Sequence, residues 1–126
     1  MRVVDTSAWI EWLMDSELGR KVGLEIPTQE AWIVPTIVQY ELARWLARQV
    51  SEEAAGSVIA FSKECVVTPL DTAVALRAAE VANEHALAMA DAIIYATAME
   101  TNADLLTCDA HFAELPAVVY FAKGAP

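Results

Sequence analysis

The stretch Arg2-Val3-Val4-Asp5-Thr6-Ser7-Ala8-Trp9-Ile10-Glu11-Trp12-Leu13 is a short apolar run that stops at an acid and passes straight into helical periodicity. Val3 and Val4 are β-branched and suit a strand. Ala8, Trp9, Trp12 and Leu13 fall at spacings that make one apolar helix face. A short buried strand followed by an amphipathic helix is the repeating unit of an α/β fold with a parallel sheet.

The same alternation continues outward. Residues 15–30 are polar and hold a short helix. Ala31-Trp32-Ile33-Val34 reads as a second strand stopped by Pro35. Thr36 and Gln39 then have the spacing of a capping box, opening a helix to about Val50. Ser51-Glu52-Glu53 starts another helix, with acids in the first turn where the dipole favours them. Val66-Val67 is a third strand ended by Pro69. Asp71 caps an Ala-rich helix to about His85, and a second Ala-rich helix runs from about Ala90 to Thr101. Asp104–Thr107 and Val118–Phe121 are the fourth and fifth strands. The expectation is one domain over residues 1–126, with a mainly parallel five-stranded sheet flanked by helices.

Composition agrees. The chain has 126 residues, 56% hydrophobic and 21% charged, enough for one core and too apolar for a disordered tail. No apolar run approaches the ~20 residues that span a bilayer. Asp5 stands too early for a secretory apolar segment, so the expected location is cytoplasmic. Cys65 and Cys108 have no metal or redox spacing and read as reduced, buried residues. The net charge of -10, from 18 acids against 8 bases, argues by itself against a nucleic-acid partner. Bound cations would reverse the sign locally.

Open α/β sheets bind ligands at the carboxyl ends of their parallel strands. Asp5 follows strand one and Asp109 follows strand four. Glu41 lies in the first turns of the helix after strand two, and Asp91 at the start of the helix before strand four. Each also has a plainer role open to it. Asp91 and Asp109 could cap helices, Asp5 could make a turn, and Glu41 could face solvent. Helix periodicity weighs against these roles for two of the acids. Asp91 shares its face with Ile94, Tyr95 and Ala98, an apolar stripe on which a buried carboxylate needs a partner. Glu41 shares its face with Arg44, Trp45 and Arg48, while Leu42, Leu46 and Val50 point elsewhere, toward the core.

Two carboxylates ~4 Å apart oppose each other by ~4 kcal/mol at an effective dielectric of 20. A proton or a cation must sit between them. The donors are all oxygens, which suits Mg²⁺ or Mn²⁺. Thr6, Ser7 and Thr107 add hydroxyls that would orient the carboxylates, or that are simply tied to backbone at strand ends. Arg44 and Arg48 are candidate phosphate contacts, with salt bridges to nearby acids as the alternative. Trp12 and Trp45 are candidates for a groove that a partner helix fills. His85 and His111 read as surface or loop residues.

Val3-Val4-Asp5-Thr6-Ser7, Val34-Pro35-Thr36 leading to Glu41-Leu42, Leu87-Ala88-Met89-Ala90-Asp91-Ala92-Ile93-Ile94 and Leu106-Thr107-Cys108-Asp109-Ala110-His111-Phe112 together resemble the PIN-domain family. They resemble most the VapC-type toxins of prokaryotic toxin–antitoxin pairs. The resemblance spans essentially the whole chain, through four motifs in order. It implies a PIN fold and Mg²⁺- or Mn²⁺-dependent endoribonuclease activity. Asp5, Glu41, Asp91 and Asp109 would then be the metal-site residues, with Thr107 and Ser7 as supporting hydroxyls. It also implies a homodimer and an antitoxin partner whose basic tail would block the acidic site.

The expected reaction is hydrolysis of an RNA phosphodiester, the cation lowering the pKa of a water. The remaining acidic surface disfavours loose RNA binding, so the expected substrate choice is narrow, such as one structured loop. Alternatives are a PIN-fold nuclease of RNA processing or DNA, a PIN-like scaffold without activity, and a phospho-accepting receiver-like signalling domain. The receiver reading would use Asp5, Thr107 and Lys123, but it needs a second acid where Thr6 stands.

Overall fold

The computed structural model describes residues 1–124; Ala125 and Pro126, the last positions of the expected 1–126 domain, lie outside the described residues. The elements are β1 (Arg2–Val4), α1 (Thr6–Leu13), α2 (Glu17–Gly23), β2 (Trp32–Pro35), α3 (Thr36–Gln49), α4 (Glu52–Ser62), β3 (Val66–Thr68), α5 (Thr72–His85), α6 (Met89–Glu100), β4 (Asp104–Thr107) and β5 (Val118–Tyr120). Single 3-10 turns occupy Gln29–Ala31 and Ala110–Phe112. The strands form one sheet in the order β3-β2-β1-β4-β5, and all four pairings are parallel.

This order decides where a ligand can sit. From β1 the chain moves one way, to β2 and then β3; it then returns past β1 to β4 and β5. Right-handed crossovers put α1–α4 on one face and α5–α6 on the other. The direction reverses between β1 and β4, so their carboxyl ends flank a crevice. Asp5 and Asp109 follow those two strands.

The central strands are covered on both faces, which is why they read as unbroken apolar runs. Val3, Val4, Ile33, Val34, Leu105 and Leu106 are all fully buried. Every residue of α6 from Ala92 to Ala98 is buried as well. Its alanines let it lie close under the sheet, where it packs against β1, β2 and β4. No helix among the described residues is long and apolar enough to cross a membrane.

Local chemistry sets the helix starts. Ser16, Ser51 and Asp71 each accept a hydrogen bond from the backbone N–H three residues on. The capping box expected at Thr36 and Gln39 does not form. Pro35 ends β2 in an extended conformation and is itself the N-cap, so Thr36 is already helical. Gln39 instead donates through Nε2 to the buried Ser62 Oγ, tying α3 to α4. Val50, expected in the core, is 52% exposed, because α3 ends before it. Of the two free cysteines, Cys108 is buried and Cys65 only partly so.

Trp12 lies in an aromatic cluster with Trp9, Trp32 and Phe61, formed where α1 and α4 meet the start of β2. Ring centroids there are 4.5 Å apart for Trp9–Trp32 and 5.6 Å for Trp12–Trp32. The indole N–H groups of Trp9 and Trp32 are buried without an acceptor among the described residues. Leaving each unmet costs about 1–3 kcal/mol. The large apolar area of the packed rings offsets that.

Candidate active site at the carboxyl edge of the sheet

Asp5 is the anchor of the site. Its N–H donates to Leu106 O at 2.8 Å, locking the end of β1 against β4. Its carbonyl accepts from the N–H groups of Ala8 and Trp9, so the backbone opens α1. The side chain takes no part in capping. Ser7 Oγ and Thr107 Oγ1 instead both donate to Asp5 Oδ2, at 2.6 and 2.7 Å. The other oxygen, Oδ1, accepts no hydrogen bond from the described residues, although Asp5 is only 3% exposed. The turn role is therefore insufficient for this carboxylate. Burial raises its pKa most; the two hydroxyls act against that, and the charges of Asp109 and Glu41 add to it.

The hydroxyls do more than terminate strands. Thr107 Oγ1 also accepts from the Asp109 N–H at 2.9 Å, and Ser7 Oγ accepts from the Cys108 N–H at 3.0 Å. Both tie the loop after β4 to Asp5. Thr6 faces the other way and donates to Glu41 Oε1 at 2.6 Å, bringing α3 to the cluster. All three hydroxyls thus meet an acid or the loop that carries one.

Asp91 lies in the first turn of α6, where the helix dipole favours a negative charge. It does not cap that helix; Ala88 is the N-cap. Burial and the neighbouring Asp109 raise its pKa, while a hydrogen bond from His111 acts against them. Asp109 does cap: its Oδ1 accepts from the His111 N–H at 2.9 Å, opening the 3-10 turn. The cap accounts for one oxygen and leaves Oδ2 free of hydrogen bonds from the described residues.

His111 was missed by sequence reasoning. It is exposed, as a loop residue should be, yet its Nδ1 stands 3.1 Å from Asp91 Oδ2 and 3.3 Å from Asp109 Oδ1. One ligand atom each from Asp91, Asp109 and His111 lie within 4.8 Å of one another. The available signal was weak: an i, i+2 separation from Asp109 matters only in a tight turn. His85 stays apart, edge-on to Tyr95.

The donor set fits a hard divalent cation. Four carboxylates share this edge, Asp5 is largely buried with Oδ1 free of hydrogen bonds from the described residues, and their mutual repulsion calls for positive charge. Beside Glu41 opens a groove of about 400 Å³ lined by Thr6, Ile10, Tyr40, Arg44, Trp45 and Arg48, together with Gln49. Neither Arg44 nor Arg48 forms a salt bridge among the described residues, whereas Arg2, Arg20 and Arg77 do. Trp45 lines this groove; Trp12, held in the aromatic cluster, does not.

The PIN domain family model matches residues 2–118. No curated protein matches the chain. Among solved structures, a toxin–antitoxin complex from Klebsiella pneumoniae superposes with a TM-score of 0.80 at 21% identity, over 94% of this chain and 96% of that one. VapBC2 from Rickettsia felis, bound to a DNA fragment from its promoter, gives 0.73 at 14% identity, over 98% of each. VapC20 from Mycobacterium tuberculosis, described as a sarcin–ricin loop cleaving toxin, gives 0.75 at 18%, over 94% and 97%. At these identities the structures establish the shared fold. Joined to a family model that runs from the first strand to the last, they leave one assignment: the chain belongs to the PIN domain family.

Proposed function

We propose that this protein is a metal-dependent endoribonuclease, the toxin of a toxin–antitoxin pair, and that Asp5, Glu41, Asp91 and Asp109 form its active site. The observation that supports the reading is the largely buried Asp5 carboxylate, whose Oδ1 accepts no hydrogen bond from the described residues and keeps contact with solvent, beside three further acids at the switch point of a parallel sheet. Asp5, Asp91 and Asp109 would hold Mg²⁺ or Mn²⁺, with Glu41 completing the acidic rim. Such a cation, when bound, lowers the pKa of a water and offsets charge developing on the phosphate.

The chain's own groups divide the remaining work. Ser7 and Thr107 fix Asp5 through Oδ2 and so leave Oδ1 toward the site. Thr6 holds Glu41 through Oε1, leaving Oε2 to take the proton of the attacking water. Arg44 and Arg48, unpaired among the described residues, hold phosphates of the RNA strand along the groove. The net charge of -10 repels RNA elsewhere on the surface, which favours a narrow set of substrates.

A protein antitoxin is the expected partner, since structures sharing this fold include toxin–antitoxin complexes. Trp45 in the groove and Trp12 in the aromatic cluster are its proposed contacts. The protein is proposed to act as a homodimer.

The test is cleavage of structured RNA by the purified protein with Mg²⁺ or Mn²⁺, beside Asp5→Asn and with DNA as a second substrate. Cleavage that needs both the cation and Asp5 supports the reading. Cleavage by Asp5→Asn at the unsubstituted rate overturns it. Activity confined to DNA would overturn the ribonuclease assignment and keep the nuclease.

A further inference from the structure

We propose that His111 is a nitrogen ligand of the cation site, beside Asp91 and Asp109, and that it tilts the site toward Mn²⁺ over Mg²⁺. The inference rests on the acidic metal site argued above and adds a donor of a different kind.

Geometry comes first. His111 Nδ1 is 3.1 Å from Asp91 Oδ2 and 3.3 Å from Asp109 Oδ1. Octahedral ligands at about 2.1 Å from an ion stand about 3.0 Å apart along each edge. His111 Nδ1 therefore already stands at the separation of a neighbouring ligand from each of the two carboxylate oxygens, and the three residues' ligand atoms lie within 4.8 Å of one another.

The imidazole is also held there. His111 sits in the middle of the 3-10 turn Ala110–Phe112, and its N–H is bound by Asp109. The next residue, Phe112, is fully buried and stacks on Tyr95, with centroids 6.4 Å apart and planes 26° from parallel. Tyr95 lies on α6, one turn after Asp91, and its hydroxyl donates to Pro116 O at 2.8 Å. The loop is thus clamped to the helix that carries Asp91, which keeps His111 over that acid.

A second observation points to a ligand independently of the imidazole. Asp5 is 3% exposed, and its Oδ1 accepts no hydrogen bond from the described residues. Both donors go to Oδ2, and Oδ1 is not sealed from solvent, so it is open to a ligand that an ion pair between His111 and Asp91 does not engage. A cation shared by the cluster would engage it.

The chemistry then sets a preference. Mg²⁺ favours oxygen donors and dehydrates reluctantly, whereas Mn²⁺, which shares the preference for carboxylates, is a transition-metal ion that also takes up a nitrogen donor. A site of carboxylates plus one imidazole gains more for Mn²⁺ than for Mg²⁺.

The experiment uses the tag-free protein loaded with Mn²⁺ alone and examined by pulsed electron paramagnetic resonance for ¹⁴N coupling. Calorimetric titrations with Mn²⁺ and with Mg²⁺ accompany it. The chain has two histidines, so His111→Gln and His85→Gln assign any coupling. Coupling should appear in the unsubstituted protein and in His85→Gln, and vanish in His111→Gln. Mn²⁺ binding should weaken about tenfold in His111→Gln, with Mg²⁺ binding changed far less. His111→Asp, which restores an oxygen donor, should bring Mg²⁺ binding up relative to Mn²⁺. Bound Mn²⁺ without ¹⁴N coupling, or equal weakening of both ions, would reduce His111 to an ion-pair partner and overturn the proposal while keeping the metal site. Failure of Mn²⁺ to bind the unsubstituted protein would overturn the metal site with it.

Discussion

Thr107 Oγ1 donates to Asp5 Oδ2 at 2.7 Å and in the same position accepts from the Asp109 N–H at 2.9 Å. One fully buried hydroxyl therefore sets the orientation of one acid and the backbone of another, across adjacent strands. Thr107→Val keeps the shape and removes both bonds. It should cost about 1–3 kcal/mol of stability, because buried partners are left unmet. Divalent-cation affinity should fall about tenfold or more, since orienting bonds of this kind carry that weight. Thr107→Ser should recover most of both losses. Cation titration of the two variants checks this, and Val behaving like Ser would show that the hydroxyl does not position the acids.

The cation-free protein should lose stability as pH rises through the mildly acidic range. Burial raises the pKa of Asp5 and of Asp91 above the ordinary value of 3.8. Between 3.8 and those raised values the folded chain binds more protons than the unfolded one, so folding weakens as pH increases. Asp5→Asn removes one of these groups and should flatten the decline. It should also melt higher than the unsubstituted protein near neutral pH in chelator. Cleavage should fall about 10²–10³-fold, as for loss of one group acting on developing charge. Melting temperatures from pH 4 to 7 in chelator provide the check, and identical slopes for both proteins would count against a buried charge at Asp5.

The sequence made the scaffold legible because each central strand is covered on both faces, leaving apolar runs between breakers. Val3-Val4, Ile33-Val34 and Leu105-Leu106 needed no more than that. Asp5 and Asp109 were legible for the same reason, as the first polar residues after such runs. Asp91 was readable because α6 is apolar on every side from Ala92 to Ala98, so an acid in its first turn stood out. What failed depended on contacts between elements. Thr36 and Gln39 had the spacing of a cap, but Ser62 on α4 takes the Gln39 amide. That Trp12 packs with Trp32 and Phe61, both distant in sequence, was likewise not legible from the periodicity of α1. His111 stands 3.1 Å from Asp91 in a loop whose Phe112 packs on Tyr95 of α6, a contact between elements.

Arg44 and Arg48 should contribute to substrate binding and little to folding. Both are exposed, line the groove beside Glu41 and make no ion pair among the described residues. Replacing both by Ala should change stability by no more than about 0.5 kcal/mol, the usual range for such surface sites. The KM for RNA should rise while kcat is largely kept. Each lost phosphate contact on a single strand also lowers the salt dependence of binding, by about 0.7 in the slope of log K against log salt. A double variant should therefore be shallower by about 1.4. An unchanged slope would mean that the arginines serve another partner.

Arg2 and Asp104 give the opposite pH response at the far end of the sheet. Arg2 Nε and Nη2 donate to Asp104 Oδ1 and Oδ2 at 2.8 and 2.9 Å, joining the first residues of β1 and β4, and Arg2 Nη1 reaches Glu25 O at 2.7 Å. The Arg2 hydrogen bonds hold the Asp104 pKa below 3.8. Its contribution is complete above that value and is lost as pH falls through the lowered one. The pair is partly exposed, with side-chain accessibilities of 21% and 34%, so after solvent screening it is worth about 1 kcal/mol. Asp104→Asn should therefore lower the melting temperature at pH 7 and have progressively less effect below the ordinary carboxylate range. Because these residues open the strands whose other ends carry Asp5 and Asp109, RNA cleavage below the melting temperature should be unchanged. A loss of cleavage at full foldedness would show that strand register at this end is transmitted to the acids.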